Sequence, residues 1–498
     1  MAFVLYLIST IVGLLSILFY FLRERMNYWK KRGIPHNEPS LFFGNMKGVS
    51  QSRHLIDPFR DLYKQFKGTT PFCGIYFFQN PSAVILDLDL IKNILVKDFN
   101  NFVDRGVFYN EKDDPISGHI FSIEGSKWRL MRSKISPTFS SGKMKFMFQT
   151  VVEVAENFTK ILDEFVGSEG AVIELKDLNA RFTTDVIGKC AFGLDVDSLR
   201  DPKAQFRIYG QKAFSEQRHY MIMFFLQSCP RLARKLGMKM TNDEVEEFFM
   251  GVVRNTVEYR EKNNIKLNDF MGILIDLKND PKTGLTLEEI AAETFVFYLA
   301  GFETSSSTMS NALLELAKND EIQDRLRAEI NGVLEKHGGK LTYEGLEEMH
   351  YMLQVFDETL RKYPVLPFLQ RITIDDYPTD TDGDSKYIIE RGTTVYIPIE
   401  PIQMDPEYYP NPERFDPERF THEKIAERDA ALYLPFGEGP RKCIGLRFGK
   451  MQIRIGLALL LRNFKFSFCD KTQYPLRFDN RQLVLQTADG IYLKVERV

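Results

Sequence analysis

A long run of apolar residues with helical spacing constrains the fold of this chain more than any other feature. Thr286 and Glu289 form a capping-box pattern, and apolar residues then recur from Ile290 to Leu316, with the pattern ending near Lys318. A helix of about 30 residues extends ~45 Å at ~1.5 Å per residue, which exceeds an ordinary globular helix. We therefore expect this helix to cross the whole domain.

The centre of the helix is chemically unusual. Residues 300–306 read Ala-Gly-Phe-Glu-Thr-Ser-Ser and place a glycine, an acid and three hydroxyls inside an apolar stretch. Gly301 weakens a helix by ~1 kcal/mol relative to alanine, and the Thr304 hydroxyl can donate to the Ala300 carbonyl. Two interpretations stay open: an exposed polar stripe with a small residue for close packing, or a buried, widened turn that admits a small molecule or water.

The composition predicts one large domain. The chain has 498 residues, of which 44% are apolar and 27% charged, so it can build a large core. A net charge of −3 gives no overall attraction to nucleic acid. Strand-like runs near 71–87, 386–399 and 474–495, with a polar turn at 380–385, interrupt mostly helical spacing. The expected fold is mainly α with small β-sheets, in a single domain over 46–498.

Residues 1–22 form a separate segment, because they carry no charged side chain. As a helix they reach ~33 Å, enough for a hydrocarbon core of ~30 Å, so we expect an uncleaved transmembrane anchor. A cleaved signal peptide is the alternative, but the stretch lacks a basic leader and a small-residue cleavage site. Basic residues follow the span, which predicts that the rest of the chain lies in the cytosol. Residues 23–45, with Pro35 and Pro39, read as a stiff, basic hinge.

The five cysteines are odd in number and scattered without Cys-x-x-Cys spacing. This argues against a disulfide framework and against zinc or iron–sulfur sites. Cys443 stands in a glycine-rich turn, Pro-Phe-Gly-Glu-Gly-Pro-Arg-Lys-Cys-Ile-Gly at 435–445. It is either an inert buried cysteine or a thiol that works alone.

A second motif pairs Glu358 with Arg361, three residues apart on a predicted helix. Such pairs contribute only ~0.2–0.5 kcal/mol on a helix surface. Arg414, in the segment Asn-Pro-Glu-Arg-Phe, could add a second arginine to the same acid. If desolvated, this network would lock a helix to a loop.

Taken together, these motifs resemble a known family. Glu358-x-x-Arg361, Pro412-Glu-Arg-Phe415 and Phe436-x-x-Gly439-x-Arg441-x-Cys443-x-Gly445, in this order, are similar to the haem-thiolate monooxygenases, the cytochromes P450. With Trp128-x-x-x-Arg132 and residues 300–306, the resemblance spans 30–498. The anchor and residues 104–115 further resemble the insect microsomal enzymes of the sixth family, which commonly detoxify lipophilic plant compounds and insecticides.

The resemblance implies haem b, with Cys443 as the axial ligand and metal ligand. A thiolate in this position favours O–O cleavage, a role for which this enzyme class is the standard example. We expect backbone N–H groups to face the sulfur, with the glycines of the turn permitting close approach and unusual dihedrals. The other implied haem-binding residues are Trp128, Arg132, Arg371 and Arg441 at the propionates, Phe436 as a shield of the sulfur, Gly437, Gly439 and Gly445 in the turn, and Ala300.

The resemblance also implies proton delivery to bound O2 by Thr304 and Glu303, which favours monooxygenation over peroxide rearrangement. Two departures from the family pattern are Val365, where many relatives have a proline, and Gln403-Met404 before Asp405. His119 could equally be a satisfied core histidine. The implied substrate-pocket residues are Phe108, His119, Phe121, Phe295, Phe297, Val365, Leu366, Phe368 and Leu485.

Electrons must come from a partner, because the chain has no Rossmann or flavin fingerprint. The resemblance implies an NADPH-dependent reductase, with cytochrome b5 as a second candidate, at the endoplasmic reticulum membrane. Basic residues near Cys443 and Trp128 predict the docking surface, although such runs are usually just solvated. These residues are Lys127, Arg129, Lys134, Lys442, Arg447, Lys450 and Arg454.

Three other functions were weighed. The same monooxygenase could act on an endogenous lipid or hormone. A membrane-anchored haem carrier or sensor would keep Cys443 but has little use for the Glu303–Thr304 pair. A cysteine hydrolase would need a partner histidine, and none of the seven histidines stands in a catalytic context.

Overall fold

The predicted central helix runs from Leu287 to Lys318, 32 residues, in a computed structural model of the chain. Its capping box is present: the Glu289 N–H donates to Thr286 Oγ1 over 3.1 Å, and the Thr286 N–H donates to Glu289 Oε2 over 3.1 Å. The structure describes residues 2–216, 218, 220–280, 284–379 and 387–498. The polar turn predicted at 380–385 lies outside them.

Helices dominate the described residues, as predicted, and the central one is α13. In chain order, α1 to α19 span Ala2–Met26, Tyr28–Lys31, Asp57–Phe66, Leu88–Lys92, Gly125–Ile135, Ser141–Val166, Leu175–Ile187, Gln205–Ser215, Tyr220–Ser228, Pro230–Lys235, Asp243–Lys262, Phe270–Asn279, Leu287–Lys318, Asp320–Lys336, Tyr343–Glu348, His350–Lys362, Ile399–Gln403, His422–Glu427 and Leu446–Asn463.

The strands form small sheets. β1 to β9 span Phe72–Phe77, Asn80–Ile85, Ala171–Glu174, Leu369–Ile372, Tyr377–Pro378, Ile388–Ile389, Thr394–Ile397, Phe464–Ser467 and Tyr492–Arg497. The largest sheet has the order β1-β2-β7-β4, in which only the β2–β7 pair is parallel. A second sheet, β3-β9-β8, is antiparallel throughout, and β5 pairs with β6.

The strand predictions hold for 71–87, which contains β1 and β2, and for 386–399, which contains β6 and β7. Most of 474–495 is irregular: its last residues belong to β9, and the remainder pairs through an isolated bridge between Phe478 and Thr487 and a few flanking hydrogen bonds. The short strand β8 was not predicted, since it follows α19 without an intervening turn.

Two apolar cores hold the domain together. The larger one surrounds α13, which contacts α7, α11, α12, α16 and α19. The smaller one covers the four-stranded sheet and contains Phe59, Phe72 and Ile397. Because α13 lies inside the larger core on nearly every side, its few exposed positions are informative.

The predicted hinge, residues 23–45, packs against the sheet. Helix α1 continues to Met26, past the predicted anchor boundary at residue 22, and Leu22 and Met26 are buried. Trp29 is fully buried, and its Nε1–H donates to the Ile75 carbonyl over 3.3 Å. Gly74 makes room for the indole, because a Cβ there would lie 2.4 Å from Trp29.

Candidate active site

The turn that carries Cys443 lies directly before α19. The Cys443 N–H donates to the Phe436 carbonyl over 2.9 Å, and the Lys442 N–H donates to the Gly439 carbonyl over 3.1 Å. Gly437 and Gly439 have φ of +69° and +73°, a region that side chains disfavour. These bonds close the turn and fix the thiol just before the N-terminus of α19.

The three glycines of the turn occupy their positions for different structural reasons. A Cβ at Gly439 would lie 1.9 Å from the Leu95 carbonyl oxygen, so this glycine permits close packing as well as its positive φ. Gly445 has an ordinary φ of −84°, and among the described residues no atom lies within 4 Å of its Cβ position. The expectation of unusual dihedrals is therefore wrong for Gly445.

The Gly445 backbone contributes in another way, because its N–H donates to the Cys443 sulfur. Cys443 is exposed on its turn, yet desolvation by the surrounding protein still raises the pKa of its thiol. The Gly445 N–H and the nearby charges of Arg105 and Arg132 lower this pKa. Positive charge and N–H donors stabilise the thiolate, which is the form that binds metal.

The predicted shield of the sulfur, Phe436, stands at the start of the turn. It is half-buried, and its ring stacks on Phe356 of α16 with centroids 6.3 Å apart. A neighbouring helix therefore holds the ring of Phe436, whose own carbonyl accepts the Cys443 N–H.

Several guanidinium groups lie close together near the Cys443 turn. Arg441 is buried, donates to the Val103, Ile120 and Ile123 carbonyls over 2.8, 3.2 and 3.0 Å, and lies 4.0 Å from the Trp128 ring. Burial lowers its pKa to about 9. Trp128 and Arg441 thus come together as predicted.

Arg132 and Arg371 complete the predicted cation set. Arg132 Nη2 donates to the Lys442 carbonyl over 3.0 Å. Arg371 is buried on β4, and burial lowers its pKa to about 10. Among the described residues its Nε has no hydrogen-bond partner.

Arg105 belongs to the same cluster and was missed from the sequence. Its Nη2 donates to the Arg441 carbonyl over 3.0 Å, and its guanidinium lies 4.2 Å from the Phe121 ring. Burial, followed by the charges of Arg371 and Arg441, lowers its pKa strongly. The signal lies in residues 104–115, whose resemblance to the family includes this arginine but assigns it no role.

These residues fit a haem. Four arginines gather beside one thiol, and the carboxylate that pairs with Arg441 in the described part of the chain, Asp104, lies 3.4 Å away. Buried like charges are costly unless an anion balances them. An iron porphyrin would supply a metal for the thiolate and two carboxylates for the guanidinium groups, including the orphaned Nε of Arg371.

The middle of α13 packs against α19, the helix that follows the Cys443 turn. Ala300 is exposed although the helix around it is largely buried, and Thr304 is half-buried. The Thr304 hydroxyl donates to the Ala300 carbonyl over 2.6 Å, as the sequence predicted. Glu303 is buried, and burial raises the pKa of its carboxyl, which accepts a bond from Ser307 over 3.3 Å.

The helix is not widened at this point, since it is α-helical throughout. Gly301 serves close packing: a Cβ there would lie 2.5 Å from Ile187 of α7. Gln452 donates to the Gly301 carbonyl over 2.9 Å, and Thr183 donates to the Phe302 carbonyl over 2.8 Å. Side chains therefore donate hydrogen bonds to three consecutive carbonyls, 300–302, of an intact helix.

The buried acid network differs in one member from the prediction. Arg361 donates to Glu358 through Nε and Nη2 over 2.7 and 2.9 Å, and both side chains are fully buried. The second arginine is Arg419, whose Nε lies 3.6 Å from Glu358 Oε1, while Arg414 is exposed. The prediction of Arg414 is therefore corrected to Arg419. The sequence repeats Pro-Glu-Arg-Phe at 412–415 and 417–420, and the second copy packs against α16.

Some of the predicted pocket residues meet. The His119 ring lies 6.4 Å from the rings of Phe121 and Phe295. The Leu485 N–H donates to the Val365 carbonyl over 3.0 Å.

The other predicted pocket residues contact different parts of the fold or are partly exposed. Phe297 packs against Phe139, Phe270 and Phe448, because two residues along a helix rotate its side chain ~200° from Phe295. Phe368 stacks on Phe59 of the sheet core, Phe108 joins a small cluster with Leu226, and Leu366 is half-buried.

The predicted basic surface is smaller than expected. Lys442, Arg447 and Arg129 are exposed. Arg454 is buried and pairs with Glu347 over 3.1 Å, so its assignment to the surface is wrong.

The remaining basic residues are only partly accessible. Lys450 is half-buried, 3.7 Å from Asp357. Lys127 pairs with Glu111 over 2.6 Å, and Lys134 is half-buried.

A thiol that accepts the Gly445 N–H beside a cluster of arginines fits a haem-thiolate protein. The comparisons with known proteins agree: the family model described as Cytochrome P450 matches residues 34–495, so the chain belongs to the cytochrome P450 family. Among its relatives are cytochrome P450 6a2 and 6a8 of Drosophila melanogaster, 49% and 50% identical over 99% and 100% of both chains. Cytochrome P450 6A1 of Musca domestica is 47% identical over 100% of this chain and 98% of its own.

The predicted family, fold class, enzyme class and cofactors are thereby confirmed. Enzymes of this family are monooxygenases that use haem b, O2 and NADPH-derived electrons from a reductase, and they take lipophilic substrates. Helix α1, from Phe3 to Met26, is long and apolar enough to cross a membrane, which fits a membrane-anchored enzyme.

Proposed function

We propose that this monooxygenase inserts one oxygen atom from O2 into lipophilic plant toxins or insecticides. The observation that carries this proposal is the aromatic cluster of His119, Phe121 and Phe295, in which the His119 ring lies 6.4 Å from each of the other two rings. Burial lowers the pKa of His119 to about 4, so its ring is neutral at physiological pH. A neutral, aromatic lining favours apolar ligands over ions.

We assign the haem contacts as follows. Cys443 is the iron ligand, and the arginine cluster of Arg105, Arg132, Arg371 and Arg441 binds the two propionates. When bound, the haem supplies O2 activation and oxygen transfer. The Gly445 N–H and the nearby cations favour the ionised sulfur, and Phe436 limits its contact with water.

Thr304 and Glu303 deliver protons in this proposal. Because the Thr304 hydroxyl hydrogen is committed to the Ala300 carbonyl, its oxygen is free to accept a hydrogen bond from water and to orient it. Burial raises the pKa of Glu303, so its carboxyl can hold and release a proton nearer neutral pH. The nearby Lys176 and Arg207 charges oppose this shift.

The enzyme would lie on the cytoplasmic face of the endoplasmic reticulum, anchored through α1, with one haem-binding domain after it. An acidic NADPH-cytochrome P450 reductase, and cytochrome b5, would dock on the exposed cations Lys442, Arg447 and Arg129. Opposite charges steer such encounters and make them sensitive to salt.

The substrate proposal is tested with the full-length protein and purified reductase in phospholipid vesicles. Plant toxins, insecticides and endogenous steroids and fatty acids are compared by NADPH-dependent product formation. We expect oxygenated products mainly from the first two groups. Turnover of endogenous lipids alone would contradict the detoxification role, and a normal carbon monoxide spectrum without any turnover would favour a carrier or sensor.

The proton-delivery assignment is tested with Thr304→Ala, matched by Thr304→Ser. Loss of the hydroxyl should lower product per NADPH consumed at least tenfold, since positioned proton transfer contributes ~10²–10⁴-fold. The serine variant should stay near wild type. Equal coupling in all three proteins would contradict the assignment.

The docking surface is tested with Lys442→Glu/Arg447→Glu at low and high salt. Reductase-driven turnover should fall at least tenfold at low salt, because steering changes association rates by ~10–10³. Peroxide-driven turnover bypasses the partner and should survive. An equal loss of both activities would contradict docking on this surface.

A further inference from the structure

Glu293 is a buried acid on α13 that the proposed chemistry does not use. It lies two helical turns before Ala300, and 2% of its surface is exposed. Burial raises the pKa of its carboxyl to about 8, so burying its charged form is unfavourable. A buried titratable group that the chemistry leaves idle calls for another role.

The carboxyl contacts the backbone of a loop. Glu293 Oε1 accepts the N–H of Ile120 over 2.8 Å, across 173 positions of sequence. On its other side, the Ile120 carbonyl accepts a bond from Arg441 Nη1 over 3.2 Å. The Ile120 residue is therefore held from α13 through its N–H and from the Cys443 turn through its carbonyl.

The neighbours of Ile120 face the proposed pocket and the arginine cluster. The His119 ring lies near Phe295, which follows Glu293 by two residues on α13. The Phe121 carbonyl accepts a bond from Arg105 Nη1 over 3.0 Å, and the Phe121 ring lies against the same guanidinium. A shift of segment 119–121 would therefore move both an aromatic wall and a cation.

The Glu293 contact is selective. The hydroxyl of its neighbour Thr294 donates to the Ile290 carbonyl over 2.7 Å, inside α13, rather than to the loop. The nearest charged groups that act on Glu293 are Glu289 and Lys127, and neither contacts Ile120 in the described part of the chain. Glu293 thus provides the side-chain bond between α13 and this segment.

We propose that Glu293 is a positioning residue that fixes segment 119–121 between α13 and Arg441. It acts through the Ile120 peptide and sets where the His119 and Phe121 side chains stand in the pocket. The consequence for ligand binding rests on the proposed function. The backbone contact itself does not.

The test compares Glu293→Leu, which removes the acceptor, with Glu293→Gln, which keeps a carbonyl oxygen in place. Thr294→Val is the matched control on the same helix. Hydrogen–deuterium exchange is measured on a peptide covering 116–124 in each haem-loaded protein. Binding of 1-phenylimidazole, read as a spectral shift, reports the pocket.

We expect Glu293→Leu to speed exchange in this peptide by about two- to tenfold, the range of a hydrogen bond between neutral groups, because the raised pKa keeps the Glu293 carboxyl largely protonated at neutral pH. It should also weaken 1-phenylimidazole binding, while Glu293→Gln and Thr294→Val stay near wild type. A peptide equally protected in Glu293→Leu and wild type would overturn the proposal. So would equal loss of protection in the leucine and glutamine variants.

If Glu293→Leu does not fold, Glu293→Asn replaces it, because its amide oxygen is one methylene short of Ile120. Slow exchange in that variant would overturn the proposal as well. Failure of the proposed function is recognised separately, by the absence of NADPH-dependent oxygenated products from plant toxins and insecticides in the wild-type protein. Exchange at 116–124 would still report the Glu293 contact.

Discussion

Gly439 shows how one residue can decide whether the Cys443 turn forms. It combines a φ of +73° with a Cβ position 1.9 Å from a carbonyl oxygen of Leu95. Gly338, in the loop after α14, has a φ of +66°, but no described atom lies within 4 Å of its Cβ position. The two glycines therefore separate backbone strain from steric exclusion.

Gly439→Ala should abolish haem retention, whereas Gly338→Ala should cost about 1–2 kcal/mol of stability from its left-handed backbone alone. In Gly439→Ala the backbone carbonyl of Leu95 must move, because a carbonyl cannot rotate away as a side chain can. Haem content per protein and thermal unfolding measure the two effects. Similar haem content in both variants would show that the clash is relieved.

The ionisation of Glu293 predicts a pH dependence of stability. Its pKa is about 8 in the fold and near 4.5 in the unfolded chain, so the folded state holds the extra proton between these values. The stabilisation is complete below pH 4.5 and is lost as the pH rises to 8, by about 1.4 kcal/mol per unit of pKa difference.

Glu293→Gln cannot titrate, so its stability relative to wild type should rise steadily from pH 5 to pH 8. Urea unfolding at several pH values measures the difference. Thr294→Val, the neighbouring control, should follow the wild-type pH profile. Parallel profiles for wild type and Glu293→Gln would contradict the raised pKa.

Single residues were predictable where a motif was dense. Arg441 and Cys443 belong to one specific ten-residue pattern, residues 436–445, and the structure brings both to one site. Arg105 and Glu293 were not predictable, because their partners lie hundreds of positions away or on another element. Neither residue differs in local sequence from an ordinary surface or core charge.

At the scale of elements, α16 is held to the chain that follows it by Glu358. Besides the two arginines, Glu358 Oε1 accepts the Asp416 N–H over 2.9 Å, and Arg361 Nη2 donates to the Pro412 carbonyl over 2.7 Å. Glu358 and Arg361 are fully buried, and a bidentate pair between a carboxylate and a guanidinium is strong there. The helix and loop therefore move as one piece.

Arg419→Gln should lower the free energy of unfolding by about 1–3 kcal/mol, since Glu358 would lose a nearby charge in a buried site. Arg414→Gln, at the equivalent position of the first copy of the tetrapeptide, should be within about 0.5 kcal/mol of wild type because it is exposed. Thermal unfolding of both variants measures the loss of stability in each. A larger loss in Arg414→Gln would restore the original assignment.

The elements differ in how well the sequence predicts them. Helix α13 follows directly from its capping box and apolar spacing, because both signals are local. The sequence cannot decide which copy of the tetrapeptide supplies the arginine near Glu358. The two copies have the same local sequence and differ only in what they pack against. The widened turn was wrong because an intact helix satisfies its carbonyls with donors from α7 and α19.

At the scale of the whole molecule, helical spacing was a poor guide to the basic surface. Arg447, Lys450 and Arg454 share one face of α19, as predicted, but that face turns from exposed at Arg447 to buried at Arg454. Arg454 lies under α15, where it bonds the Leu346 carbonyl and Glu347. Packing by a distant element cannot be read from the spacing of charges.

The attachment of α1 to the domain predicts where truncation is tolerated. Deletion of residues 2–20 keeps Leu22, Met26 and Trp29 and should leave thermal unfolding unchanged. Deletion of 2–30 removes a fully buried tryptophan and should cost about 3–5 kcal/mol. Unfolding in detergent compares the two. Equal stability would show that Trp29 contributes nothing to the domain.

The continuous helix from the bilayer to Met26 has a practical consequence for chimeras. Leu22 and Met26 are four residues apart and share the face that touches the domain, and Arg25 bonds Asn80, which in turn bonds Ser228 at the end of α9. A borrowed leader must therefore join upstream of Leu22. Each inserted residue turns the leader by ~100° about its axis relative to the domain, so leader length and helical phase have to be chosen together.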